Sequence, residues 1–452
     1  LTWREVNVAF RSSPRDRAIA ALAIPALGTL AIDPIVTVVD TAWVGRLGTV
    51  ELASLAVAGA VFAAVFSVFN FIQVTITPLI AAEIGRGQLA RAGAIARGAV
   101  WIAAALGLGL GLLFVLLSPA ITSLFGSASD VTAEATTYLQ IRFLALPVLL
   151  IATVGHGVYR GHHDTRTPLY VAIGMNLVNL VLDPILIFGL DMGVAGAAWA
   201  TVVAQTIAAA WFLVLMFNRH RDRLGIGRKR VAFRSLPIGE VVQKGWPMII
   251  RSLALLGAIT ATTVAAARIG TVDTAAHQIA LQVWLFLAFV LDSYAIAAQA
   301  MVGTDIGRMD LVAARRVSNR LLALGLVTGI SLSVLVAVTA GLLPALFGIE
   351  NDVAEALSGI YVFVIILQPL TALVYVWDGI GIGAAEFRYL AGSMVIASLA
   401  AIVVLLLIGD TLVGIWTSLA VLTGTRLVTL ALWYQRGVLS GGRDPSPSSQ
   451  AA

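Results

Sequence analysis

Two acidic side chains stand where charge is expensive. Asp40 and Asp183 each lie inside a run of apolar residues long enough to cross a bilayer, where a charge costs at least about 2.5–3.5 kcal/mol and marks a functional candidate by default. Their neighbours are polar at helical spacing. Asp33 and Asp40 are seven apart and share a helix face, and Asn176, Asn179 and Asp183 fall at i, i+3 and i+7 of MNLVNLVLDP, forming one polar stripe. Two carboxylates in one apolar pocket resist being ionised together, so the pair holds a proton near neutral pH or accepts a small cation. The competing reading pairs these acids with buried arginines or makes them helix caps, and Pro184 after Asp183 suits such a local role.

Other chemistry is poorly supplied. The 452 residues contain no cysteine and five histidines, none in a metalloprotease-like pair, which excludes disulfides, thiolate metal sites and cysteine nucleophiles. No nucleophile–base pair or metal cluster falls within the apolar runs, so neither an enzyme nor a resident metal or cofactor is expected. The net charge of +5 is no nucleic-acid signature, because the basic residues sort by loop instead of forming one patch.

The elements that carry these acids are membrane helices. Fifty-nine per cent of the chain is hydrophobic and 12 % charged, against roughly 45–50 % and about 25 % in soluble domains. A span needs roughly 20 apolar residues, and twelve segments qualify: Ala18–Val44, Ala53–Ala82, Gly98–Ser129, Ala135–Tyr159, Thr167–Leu190, Met192–Asn218, Val241–Ala267, Thr274–Thr304, Leu321–Ile349, Ala356–Trp377, Tyr389–Gly409 and Thr411–Gln435. The fold class is therefore an all-α polytopic membrane protein. Lys and Arg crowd the segment before the first span and alternate connections after it, above all Arg219–Glu240, whereas the opposite connections carry mainly Asp and Glu. By the positive-inside rule both termini are cytoplasmic. The first span lacks the short apolar core and small-residue cleavage site of a removable signal peptide. Five segments follow: an N-terminal segment over 1–17, a first bundle over 18–218, a basic linker over 219–240, a second bundle over 241–436 and a disordered tail over 437–452.

An internal repeat organises the two bundles. At an offset of 222, Pro25 maps to Pro247, RLGTVE (Arg46–Glu51) to RIGTVD (Arg268–Asp273), EIGR (Glu83–Arg86) to DIGR (Asp305–Arg308), Pro147 to Pro369, and Gly157 and Gly161 to Gly379 and Gly383. Six spans per half is an even number, so the halves are parallel, which is a transporter architecture. The acids break the repeat. Asp33, Asp40 and Asp183 map to Leu255, Thr262 and Leu405. At 1.5 Å per residue Asp40 lies about 33 Å along its helix and Asp183 about 24 Å along its own, so both occupy the outer half. Thr201 joins them from the next helix and Asn179 lies one turn deeper, while Asp33 sits nearer the centre. Trp199, beside this group, suits a cleft-lining position.

The stretches VVDTAWVGRLG, NLVNLVLDP, LDSYAIAAQAMVG and WDGIGIGA together resemble multidrug and toxic compound extrusion (MATE) transporters of the DinF-like branch, over Ala18–Arg436. The resemblance implies a V-shaped pair of six-helix bundles that exports amphipathic, often cationic compounds against H+ or Na+ across a bacterial inner membrane. Matched residue by residue, the family's cation site falls on Asp40, Asn179, Asp183 and Thr201, and the proline tied to first-helix bending falls on Pro25. Asp33 departs from the family pattern and could perturb coupling. Asp292 and Asp378 match acids usual in this branch and are read as ion ligands or as a structural polar network. The bilayer and small-molecule substrates are the expected partners, and a monomer the expected state.

Arg142, close to the outer end of its helix, is expected to snorkel. Arg251 and Arg426 lie deeper and either neutralise Asp292 or Asp378 or touch substrate. His162 and His163 are expected to be solvated loop residues. Three rivals remain to be weighed. A major-facilitator carrier would carry an Asp-Arg-x-Gly-Arg pattern where this chain has EIGRGQLARAG. A lipid-linked flippase would have extra helices and a basic cleft. The third keeps the same pocket but couples it to Na+, and an Asn and Thr lining serves either ion.

Overall fold

The computed structural model describes residues 14–125, 128–227, 238–342, 348 and 350–436. The N-terminal segment before Pro14, most of the basic linker and the tail lie outside the described residues. Everything described is helix, turn or short connection, with no strand among the described residues.

Twelve spans are present when the broken one is counted once. In the first half they are α1 (Pro14–Val44), α2 (Thr49–Gly85), α3 (Leu89–Ser123), the two-part α4 (Ser129–Leu144 and Leu146–Gly161), α5 (Arg166–Gly189) and α6 (Gly193–Arg219). In the second half they are α7 (Ile238–Ile269), α8 (Thr271–Gly307), α9 (Leu311–Leu342), α10 (Asn351–Gly383), α11 (Phe387–Ile408) and α12 (Leu412–Arg436). Several run beyond their apolar stretch because polar residues at the membrane surface continue the helix. The helical ladder pairs most backbone groups within each segment, as a lipid surround demands.

The repeat is visible as repeated packing. A Cβ on Gly107 would lie 2.4 Å from the Cα of Pro147, and one on its counterpart Gly329 would lie 3.0 Å from the Cα of Pro369. At both places only glycine lets two helix backbones approach this closely. Regularity differs between the halves. α2 is interrupted at Asn70 and α4 bends by 53° at Ala145, whereas their counterparts α8 and α10 run unbroken. α5 and α6 each end in a π-helical turn, Ile185–Gly189 and Leu215–Arg219. The first follows Pro184, which offers no N–H to the helical ladder.

The chain forms two compact units whose limits cut through two continuous helices. One unit spans 24–245; the other takes 246 onward together with the residues before 24. The first turns of α1 thus pack in the unit of the second half. Ile19, Leu22 and Ala23 join a core with Val317, Val376 and Trp433, and the Asp16 carboxylate receives two hydrogen bonds of 2.6 Å from Arg320. Reciprocally, the first turn of α7 belongs to the unit of the first half, where Glu240 pairs with Arg91 at 3.3 Å. Pro25 and Pro247 lie just past these two boundaries.

Candidate functional site

Within the unit of the first half, α1, α4, α5 and α6 bring one polar group together. The carboxyls of Asp40 and Asp183 lie within hydrogen-bonding reach of each other. Asp183 is fully buried, and each acid keeps one buried oxygen, Oδ1 of Asp40 and Oδ2 of Asp183, with no hydrogen-bond partner. The Asn179 side-chain amide donates to Asp183 Oδ1 at 3.4 Å and to Thr201 Oγ1 at 3.5 Å, while the Thr201 hydroxyl donates to the Ala197 carbonyl at 3.0 Å. The four residues expected at the site therefore converge, one helical turn separating Asn179 from Asp183. Two carboxyl groups can hydrogen-bond each other only when they share a proton, which is the chemistry this geometry offers.

The remaining expected residues are placed less centrally. Asn176 is buried and donates to the carbonyl of Ala172 on its own helix at 2.9 Å. Trp199 is exposed, at 39 %. Asp33 lies on α1, but its side chain is outside the described residues.

Arg142 does not snorkel. It is 7 % exposed, its guanidinium lies 4.1 Å from the centroid of the Phe62 ring, and its Nη1 donates to Gln205 Oε1 at 3.2 Å. Residue 142 sits in the last turn before the break at Ala145, where the helix turns inside the bundle instead of reaching the surface. Tyr138, one turn earlier, lies within electrostatic reach of Arg142, Asp40 and Asp183. Sequence reasoning missed Tyr138 and Gln205 and misread Arg142. The repeat itself held the signal, because these three map to Ile360, Leu427 and Val364.

In the second half the polar residues form an ion-paired cluster. Asp378 on α10 pairs with Arg251 from α7 and with Arg426 from α12 at 3.5 Å, and Asp292 acts on the neighbouring Tyr375 with these three. Of the alternatives open at the sequence level, both arginines take Asp378. Of the two histidines of the α4–α5 turn, one departs from expectation and the other meets it. His162 is half-buried and its Nδ1 contacts the Val158 carbonyl at 2.9 Å, and burial makes it harder to protonate than a solvated histidine. His163 is exposed, in the left-handed region at φ 58°.

Comparison with known proteins follows this geometry closely. The MatE family model matches the chain twice, over residues 25–185 and 247–407, which is the sequence repeat at its own offset. The chain belongs to the MATE family. Protein DETOXIFICATION 44, chloroplastic, of Arabidopsis thaliana is 34 % identical to this MATE chain over 91 % of it and 80 % of the relative. DNA damage-inducible protein F of Escherichia coli (strain K12) is 28 % identical over 96 % of the chain and 95 % of the relative. Among solved structures, an outward-facing multidrug resistance MATE transporter shares the fold with a TM-score of 0.83 at 21 % identity, covering 99 % of this chain and all of the other (100 %). A MOP superfamily transporter from Pyrococcus furiosus does so with a TM-score of 0.84 at 18 % identity, over 98 % of this chain and 100 % of the other. This MATE chain is thus a multi-pass transporter whose family and relatives point to efflux.

Proposed function

We propose that this MATE chain is a secondary active antiporter that exports amphipathic, often cationic compounds in exchange for H+, with Asp40 and Asp183 as the coupling carboxylates. The observation that carries this reading is the close approach of those two carboxyl groups, with Asp183 fully buried and each acid keeping one buried oxygen that has no partner. A shared proton stabilises it, and losing that proton leaves two ionised groups facing each other in low dielectric. Asn179 and Thr201 hold the pair in place. The fold supports a transporter role rather than catalysis, and the reading places the protein as a monomer in a bacterial inner membrane.

One observation favours a second reading. Asp40 Oδ1 and Asp183 Oδ2 are buried without partners, and together with Thr201 they are oxygens of the kind Na+ requires. Against this, Asn179 turns its N–H toward Asp183 and Thr201, so it offers a donor where Na+ needs an acceptor. A lipid-linked flippase remains the third reading, and the same assay excludes it if an amphipathic cation is exported.

Proteoliposomes separate the two ions. An inward pH gradient without sodium is expected to drive export of a cationic dye, and collapsing the gradient to stop it. Export that needs sodium and ignores the pH gradient would assign the same pocket to Na+.

Sidedness has its own test. In this cysteine-free chain a cysteine at Asp222, whose side chain is 83 % exposed, is the sole thiol. It should be shielded from an impermeant thiol reagent in intact cells and labelled once the membrane is opened. Gly225 in the same segment is unsuitable, because it has φ +69° and a Cβ there would lie 1.9 Å from the Leu89 carbonyl oxygen. Labelling from outside would invert the topology.

A further inference from the structure

We infer that Arg142 is the resident counter-charge of the Asp40–Asp183 pair and sets the capacity of that site at one exchangeable proton. The inference rests on the proton reading above and deepens it. Three observations carry it.

The first is the pattern of broken symmetry. Asp40, Tyr138, Arg142, Asn179, Asp183 and Gln205 correspond at the repeat offset to Thr262, Ile360, Val364, Ala401, Leu405 and Leu427. None of these six positions carries an ionisable residue in the other half, so the acids and the arginine are confined to one half together, whereas Thr201 keeps a threonine there, Thr423. Bundle packing does not call for an arginine at that position, since Val364 occupies it in the other half fully buried, in a continuous apolar core.

The second is the setting of the guanidinium. It is buried, stacked on Phe62 and hydrogen-bonded to Gln205, two uncharged groups that hold it without neutralising it. Its Nε–H is buried with no acceptor. A buried charge held this way is strongly destabilising unless another charge offsets it, and Asp40 lies within its electrostatic reach.

The third is the charge balance. Two carboxylates and one guanidinium sum to a single negative charge, and one proton makes the site neutral. Without the guanidinium, neutrality would take two protons, or a proton and a metal ion. Of the elements packed around Arg142, α1 and α5 bring Asp40 and Asp183, and α4 itself brings Tyr138. α2 and α6 bring Phe62 and Gln205, neither of which titrates.

The test compares Arg142→Gln, Arg142→Met and Arg142→Lys in proteoliposomes, measuring initial dye efflux across a series of pH values at constant pH difference, with and without sodium. Removing a nearby positive charge makes the pair release its proton only at higher pH. The midpoint of the transport profile should therefore move to alkaline values by on the order of one pH unit in the Gln and Met variants, the size expected for one nearby charge in a poorly screened setting. Arg142→Lys should keep the wild-type midpoint, and sodium should stimulate only the two neutral variants. Slower efflux at an unshifted midpoint in the neutral variants, or a shifted midpoint in Arg142→Lys, would show a packing role and overturn the inference. Should both neutral variants fail to fold, a shifted midpoint in the lysine variant still overturns the inference. Failure of the underlying proton reading looks different: Asp40→Asn would then retain the pH profile of the wild type.

Discussion

Asp40→Asn and Asp183→Asn should each abolish gradient-driven export, lowering initial efflux at least about tenfold while leaving the amount of folded protein in the membrane near normal. An amide keeps the shape of the pocket and one hydrogen bond, so the pair can still be bridged, but it cannot take up or release a proton. Loss of one member of a unit that acts together costs nearly the whole effect, so the double variant should be little worse than either single one. The repeat supplies the control. Thr262 occupies the position of Asp40 in the other half, buried and donating to the Ile259 carbonyl at 2.7 Å. Thr262→Ala should transport at close to the wild-type rate. The readout is dye efflux from proteoliposomes normalised to incorporated protein. Normal transport by both aspartate variants would move the coupling function elsewhere, with Asp292 and Asp378 the next acids to try.

Asp378→Ala should have a different and equally large effect, on folding. The Asp378 carboxylate holds Arg251 and Arg426, side chains exposed by no more than 17 %, and joins α7, α10 and α12. Removing it takes from two buried guanidinium groups the carboxylate that holds both, a situation that costs about 3–5 kcal/mol when a buried pair loses one partner. The expected result is a marked fall in thermal stability in detergent. Replacing one arginine as well, as in Asp378→Ala with Arg426→Met, should recover much of the loss, because one buried charge is then removed with its partner. If Asp378→Ala is as stable as the wild type yet transports nothing, the cluster is part of the transport machinery rather than a joint between helices.

Much of the fold could be read directly from residue patterns. Apolar run length and loop charge give the spans, and matched glycines and prolines give the two halves, because backbone approach such as that of Gly107 to Pro147 and of Gly329 to Pro369 depends on residue type at fixed positions. Asp40 and Asp183 were legible for a related reason: acids in apolar runs are rare, and their absence from the other half singles them out, whereas Thr201 has Thr423 in the same place and stood out only by its depth beside the acids. Arg142 was misjudged because distance from a helix end was counted along a straight helix, and α4 is bent by 53° three residues later. Pro147, two residues after the break, is the one local signal for a kink, but its counterpart Pro369 lies inside the unbroken α10, so proline alone does not mark the bend. The ion pairs of Arg251 and Arg426 were undecided because they depend on which faces of α7, α10 and α12 meet. The helix boundaries of the two units were invisible too, since α1 and α7 are each continuous in sequence and in backbone.

Those boundaries bear on how such a molecule could have arisen. If a single ancestral half carried the same arrangement, its first two or three turns would have had no partner within their own chain: the counterparts of Ile19, Leu22 and Asp16 fit a surface that lies one repeat away. Such a half would have been held by reciprocal exchange of its leading helix ends with a second identical chain, the arrangement known as domain swapping. Fusing the two copies end to end then turns an intermolecular exchange into an intramolecular one and makes it independent of concentration. In the present protein the same arrangement is an interlock. Each half is completed by ten or so residues of its sibling, so co-expressed fragments divided within the 219–240 linker should find each other in the membrane, whereas neither should reach its full stability alone.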